Sequence, residues 1–320
     1  MATNRETELV TVAAIRERKG ESRQYLLNER QRIFVLADKA AAKGDAARLL
    51  AQALERRIPV KVTLDTKRPV IQRIVAPTPR ELEAFAKTHV PLPKAQTERN
   101  AAIDVANIDP TRFNIVDAYL KWRCFRLCTR VIPSYAKAKE IFDFCAQLSC
   151  HLPGPYAVQP CIPFQYARDG CYARAHQMRR IITTRYGYCC EKVFSFADPY
   201  SEDVLAVQAS KWGGCCVQWW YHVAPLVRVR VKLRLPLLPK NFSVVLAMVI
   251  DPSMFDKPVL LSTWLAAQEN KACNSQAKVS TYSIQPGSAY TPGWNSPYGT
   301  DPNYTATEAT LLAYQSLPTC

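Results

Sequence analysis

The residues of this chain best suited to covalent chemistry are Cys171, His222 and Asp251. Cys171 follows Asp169-Gly170, a turn and cap signal. Cys171, Ala175, Met178 and Ile182 then recur at helical spacing, so the pattern predicts a helix whose first turn carries the thiol. The Asp169 side chain can accept an N–H of that turn, and the positive end of the helix dipole favours a thiolate, the nucleophilic form of cysteine. A cysteine on an apolar stripe is more often a small core residue, so a nucleophile also needs a base within reach.

The histidines are His89, His151, His176 and His222. His176 lies on the same predicted helix, roughly 140° round and more than a turn away, out of reach of the sulfur. His222 sits in an apolar and aromatic run with strand character, from Trp219 to Val227, and is the better base. Residues 227–235 alternate apolar and basic, the period of a strand with one basic face. A break over residues 236–241 leads into a second, apolar strand over 242–250 that ends at Asp251-Pro252. Antiparallel pairing about Pro236 and Leu237 sets Asp251 across from His222. Such a set performs acyl transfer. The thiolate attacks a carbonyl carbon, the imidazole takes and returns the proton, and the carboxylate orients the ring. The backbone N–H of Cys171 is the natural first oxyanion donor, with the indole N–H of Trp219 as candidate for the second.

The elements that must hold these residues follow from pattern. The length of 320 residues and 48% apolar content allow one sizeable core and a smaller unit beside it. Residues 38–57 read as a helix, and 59–65 and 70–75 as two short strands. Thr78-Pro79-Arg80-Glu81 is a capping box with proline at N1, predicting a helix from Pro79 to about Lys87. A polar stretch over 91–114 reads as a linker open to proteases, followed by a helical pattern at 115–127 carrying Cys124 and Cys128. A further helix is predicted over 135–148. The stretch from Ala272 to Cys320 reads as irregular surface with a short helix over 305–314. Residues 1–8 are polar, and no run approaches the ~20 apolar residues of a spanning helix.

The blocks Cys161-Ile162-Pro163-Phe164, Asp169-Gly170-Cys171-Tyr172-Ala173-Arg174-Ala175-His176, Tyr188 to Lys192, Cys215-Cys216-Val217 to Trp219, Tyr221-His222-Val223-Ala224 and Ile250-Asp251-Pro252-Ser253 occur in that order. Together they resemble the secreted bacterial protein-glutaminase family over residues 150–285. The resemblance implies an α+β fold, a transglutaminase- or papain-like cysteine hydrolase core with an antiparallel sheet. It implies deamidation of glutamine side chains in proteins and peptides, with Cys171, His222 and Asp251 at the triad positions and no cofactor. The first unit resembles, at the level of its element order, that family's pro-segment, which would cover the site until a protease removes it. The expected division is a pro-segment-like unit at 1–90, a linker and activation region at 91–129 and a catalytic domain at 130–320. Expected partners are protein or peptide substrates with accessible glutamine and an activating protease, acting on a monomer. A transglutaminase or cysteine peptidase with the same triad, or an effector deamidase acting on a host protein, are the alternatives.

Twelve cysteines suit an oxidising compartment, and a secreted location is expected with the export signal absent from this sequence. Setting Cys171 aside leaves an odd number, so at least one more thiol lacks a partner within the chain. Cys150 and Cys161 bracket a turn-rich loop suited to a disulfide, and Cys189, which has no counterpart in the family pattern, is the expected spare thiol. The spacings do not match a zinc site, and no metal is expected. The net charge of +15 includes a row of Arg228, Arg230, Lys232 and Arg234, and Arg174, Arg179, Arg180 and Arg185 on the helix of Cys171. These read as solvated faces, or as a field steering acidic substrates. No nucleic-acid-binding module is recognisable, and nucleic acid is not an expected partner.

Overall fold

A computed structural model describes residues 5–17, 22–41, 44–65, 67–91, 131–152, 160–232, 243–318 and 320. The break expected at 236–241, most of the linker at 91–114 and the helix expected at 115–127 with Cys124 and Cys128 lie outside these residues.

The first unit begins with strands β1 (Arg5–Val10), β2 (Val12–Arg16), β3 (Gln24–Leu27) and β4 (Arg30–Leu36). Helices α1 (Asp38–Ala41) and α2 (Asp45–Arg56), strands β5 (Val60–Asp65) and β6 (Val70–Val75) and helix α3 (Pro79–Thr88) follow. Among the described residues the strands form one six-stranded sheet in the order β1-β5-β6-β4-β3-β2. The single helix expected over 38–57 is two, because Gly44 takes a left-handed φ of 67° that a continuing helix cannot hold. Helix α2 buries Leu50 and Ala53 against Leu27, Phe34 and Val62 of the sheet. Helix α3 carries the expected capping box between Thr78 and Glu81, but buries no residue and is tied down by the Lys61–Glu81 ion pair.

Strand β7 (His89–Val90) leads out of this unit. The second unit holds α4 (Tyr135–Gln147), α5 (Cys171–Thr184), β8 (Glu191–Phe196), β9 (Leu205–Gln208), β10 (Cys216–Trp219), β11 (Tyr221–Lys232) and β12 (Ser243–Val249). It continues with β13 (Val259–Leu260), α6 (Leu261–Ala266), β14 (Thr281–Gln285), β15 (Tyr298–Gly299) and α7 (Thr305–Tyr314). Its main sheet is antiparallel, in the order β13-β12-β11-β8-β14. The fold is therefore α+β with an antiparallel main sheet, as the sequence implied, while the first unit's sheet is antiparallel except for its parallel β4–β6 pair. Strand β14 lies in the stretch expected to be irregular, and β15 pairs with β7, so the C-terminal stretch is woven into both units.

Three expectations change. The β11–β12 ladder pairs Leu226 with Val249, two residues along from the register that would set His222 opposite Asp251. An even shift keeps each side chain on its expected face. Helix α5 is covered all round from Cys171 to Met178 rather than on one stripe, and Arg174 is buried with its guanidinium donating to Tyr166 O (2.7 Å) and Asp169 O (2.6 Å). Arg228 is likewise buried and paired with Glu191 at 3.0 Å, whereas Arg230 and Lys232 are exposed.

Disulfides join Cys150 to Cys161, as expected, and also Cys215 to Cys320 and Cys216 to Cys273. Cys189 is not the spare thiol, because it is disulfide-bonded. Among the described residues the free thiols are Cys145, Cys171 and Cys190, all buried. No described helix is long and apolar enough to cross a membrane.

Candidate active site

The first turn of α5 is set by Gly170, which caps the helix at a left-handed φ of 80°. A Cβ there would come within 2.8 Å of the Tyr314 ring, so only glycine allows this approach. The Asp169 carboxylate does not cap the helix as expected. It accepts its neighbour Gly170 N–H (2.8 Å) and the Tyr314 hydroxyl (3.2 Å). The N–H of Cys171 is thereby left for another acceptor.

That acceptor comes from the first unit. Gln31, at the start of β4 and fully buried, accepts the Cys171 N–H at its side-chain Oε1 (3.2 Å) and donates from Nε2 to Ala167 O (3.3 Å). Its own carbonyl accepts the Trp220 N–H at 3.0 Å. The Trp220 indole donates to Arg30 O (2.7 Å) and Leu27 O (3.1 Å), which fixes the β3–β4 turn against the second unit. Arg30 anchors this turn. Its buried guanidinium donates to the Tyr172 and Tyr314 hydroxyls, both at 2.7 Å, and pairs with Glu8 and Glu6.

On the sheet side, His222 donates from Nε2 to Asp251 Oδ2 at 2.9 Å, both residues buried. Asp251 reaches it from the turn after β12 rather than from across the ladder. That turn is held by Ser253, whose N–H (3.2 Å) and hydroxyl donate to Asp251 Oδ1, and by the Trp264 indole, which donates to Oδ2 at 2.9 Å. Burial alone would raise the Asp251 pKa, but the bonds from His222, Ser253 and Trp264 outweigh it and hold the carboxyl down at about 2. The imidazole is stacked between Trp219 (centroids 4.6 Å apart) and Trp264 (5.4 Å). Its other nitrogen, Nδ1, is buried with no hydrogen-bond partner.

The backbone N–H of Val223, the residue after His222, acts to lower the pKa of the Cys171 thiol. Burial pushes its thiol pKa up despite the helix start and nearby Arg174. In this closed arrangement it rests as the thiol, not the thiolate expected from the helix dipole. Trp219 is not free to serve as the second oxyanion donor, because its indole N–H is engaged by Ala167 O at 3.0 Å. It forms instead one wall of the imidazole's slot. His176 points away, donating from Nε2 to Asp301 O (3.1 Å) and accepting Lys192 Nζ at Nδ1 (2.7 Å).

The arrangement thus offers a thiol, a ring nitrogen without a partner and an N–H that already binds an amide oxygen. Gln31, Arg30, Ser253 and Trp264 were not singled out from the sequence. Ser253, two residues past Asp251 in an Asp-Pro-Ser turn, had a readable signal in its spacing. Gln31 and Arg30 had one in the polar interruption Arg30-Gln31-Arg32 of an apolar strand. Nothing local marks Trp264.

A family model described as glutaminase matches residues 138–268. A crystal structure of a pro-protein-glutaminase matches over 99% of this chain and 95% of its own, at 25% identity and a TM-score of 0.71. A crystal structure of a protein-glutaminase matches at 34% identity and TM-score 0.50, over 60% of this chain and 92% of its own. The solution structure of the protein-glutaminase from Chryseobacterium proteolyticum does so at 35% and 0.50, over 59% of this chain and 91% of its own. No curated protein matches the sequence.

Proposed function

This chain belongs to the protein-glutaminase family, hydrolases acting on glutamine amides, and from that membership we propose that it deamidates glutamine side chains of proteins and peptides as a zymogen. The observation that carries the reading is the seat of Gln31, a glutamine carboxamide whose oxygen rests on the N–H of Cys171. A substrate glutamine would take the same seat, its carbonyl polarised by that N–H.

Cys171 is the nucleophile in this reading, His222 the base and Asp251 the residue that orients it. His222 Nδ1 takes the thiol proton, which its hydrogen bond from Nε2 to Asp251 makes easier by stabilising the imidazolium that forms. The thiolate adds to the amide carbon, and the imidazolium returns the proton to the departing nitrogen. Ammonia leaves, and a thioester remains on Cys171. Water, deprotonated by His222, then hydrolyses the thioester to give glutamate and the free thiol. The backbone is not cut.

Residues 1–90 act as the inhibitory segment. The match to a protein-glutaminase spans 60% of the chain and the match to a pro-protein-glutaminase 99%, which supports assigning the remainder to a pro-segment. Gln31 and Arg30 fill and lock the site, and the buried thiol stays protonated. Proteolysis in the region of 91–129 would release the segment, and disulfides suit a secreted, oxidising setting.

The test is ammonia release from a glutamine-containing peptide, before and after limited proteolysis. The expected result is little release from the intact chain and sustained release after cleavage, with conversion of glutamine to glutamate. Amine incorporation would indicate a transglutaminase, and new peptide termini a peptidase. Because a transglutaminase also releases ammonia on acylation, the deciding product is glutamate: either outcome without conversion of glutamine to glutamate would overturn the reading.

A further inference from the structure

We infer that Gln31 is itself a substrate: Cys171 deamidates it within the folded chain, so the inhibitory segment consumes its own contact with the site. The inference rests on the deamidase reading above and goes beyond it, because an inhibitory segment needs only to fill the pocket. Here the residue filling it is the one amino acid whose side chain the enzyme attacks.

The geometry meets the needs of the acylation step. The carboxamide is gripped at both ends, oxygen on Cys171 N–H and nitrogen on Ala167 O, and its backbone is fixed through Trp220 N–H. Such a seat orients the carbonyl carbon next to the sulfur-bearing residue and leaves the nitrogen on the far side as leaving group. His222 Nδ1, buried and without a partner, is available to carry the proton from sulfur to that nitrogen. In the step the S–C bond forms and the C–N bond breaks. The thiol proton leaves with ammonia by way of the imidazole. One water then splits the thioester, its hydroxyl going to carbon and its proton to sulfur. Residue 31 becomes glutamate, with no redox partner involved.

The product does not fit the seat. The Ala167 carbonyl, which accepts an N–H from Gln31, would face a carboxylate oxygen of the deamidated side chain, two acceptors with no proton between them. Ala167 O is already the acceptor for Trp219, so it cannot turn away freely. Deamidation therefore converts a holding contact into a repulsive one and loosens the β3–β4 turn. Because Gln31 is fully buried, water reaches the thioester slowly. The reaction is expected to be a slow, single event on the scale of the protein's maturation, not a rapid turnover.

Purified full-length protein and its Cys171→Ala variant, aged at neutral pH, are digested with chymotrypsin. The peptide spanning Asn28–Phe34 is then sequenced by mass spectrometry, with fragmentation separating residue 31 from Asn28. The expected result is glutamate at residue 31 in a fraction of the wild type that grows with time, or a Cys171–Gln31 thioester released by hydroxylamine. The Cys171→Ala protein should keep glutamine. Equal conversion in both proteins would overturn the inference. So would glutamine retained in a wild type that deamidates an added peptide once residues 1–90 are cleaved away. That second result leaves the deamidase reading intact, whereas a cleaved enzyme silent on added peptide would instead strike at the reading itself.

Discussion

Asp251 Oδ2 lies 2.9 Å from His222 Nε2 and equally 2.9 Å from the indole nitrogen of Trp264, so one carboxylate oxygen binds both the imidazole and one of the two rings that flank it. The imidazole is fixed in position and in tautomer, with Nδ1 left buried and without a hydrogen-bond partner. Replacing Asp251 by Asn keeps the shape but can favour the wrong tautomer. For the cleaved enzyme the expected outcome is a fall in kcat on the order of 10⁴-fold with KM little changed, as ammonia-release kinetics would record.

The same carboxylate makes stability pH-dependent. Held at about 2 in the folded chain against about 3.9 when unfolded, it contributes stability that is fully present above about pH 4 and lost as pH falls through about 2. The wild type should exceed Asp251→Asn by on the order of 2 kcal/mol near neutrality, and this gap should close on acidification. Urea unfolding of both proteins across that range measures it. A gap independent of pH would contradict the assignment of the low pKa to these hydrogen bonds.

Arg30 anchors the β3–β4 turn, which the proposal makes inhibitory, and its removal leaves Glu8, Tyr172 and Tyr314 without their buried partner. Breaking one side of a buried pair costs roughly 3–5 kcal/mol. Arg30→Met should therefore raise the deamidase activity of the uncleaved chain by about two orders of magnitude or more, up to the level of the cleaved enzyme. Circular dichroism of the variant checks that the first unit remains folded. Unchanged latency in a folded variant would show that Arg30 does not hold the segment.

The Cys215–Cys320 disulfide closes a loop of 105 residues and ties the chain's end beside the strand that leads to Trp219. A cross-link over so long a loop restricts the unfolded chain strongly. Cys320→Ser should lower stability by roughly 2–4 kcal/mol and the melting temperature by about 4–10 °C under non-reducing conditions. Calorimetry of the two oxidised proteins gives the comparison.

Much of this molecule is written in local pattern. The helix opening at Cys171, the strand carrying His222, the capping box at Thr78 and the Cys150–Cys161 bridge follow from spacing, turn chemistry and periodicity, which depend on neighbours a few residues away. Strands β1 to β4 did not stand out, because Arg30, Gln31 and Arg32 break the apolar alternation of the last of them. Those residues face a second unit that sequence periodicity cannot see. The arginine residues at 174 and 228 read as surface charges for the same reason: their partners, the Tyr166 and Asp169 carbonyls and Glu191, are supplied by packing.

The sequence by itself determined which residue types could react and in which elements they sit, because thiol, imidazole, carboxylate and strand or helix period are properties of short stretches. Tertiary structure alone decided that Asp251 meets His222 from a turn rather than a ladder, that Trp219 stacks instead of donating, and that Gln31 rests on the Cys171 N–H. Each of these is a contact between segments far apart in the chain. The geometry of such contacts is fixed by the burial of two cores against one another, a balance to which every element contributes and which no local window contains.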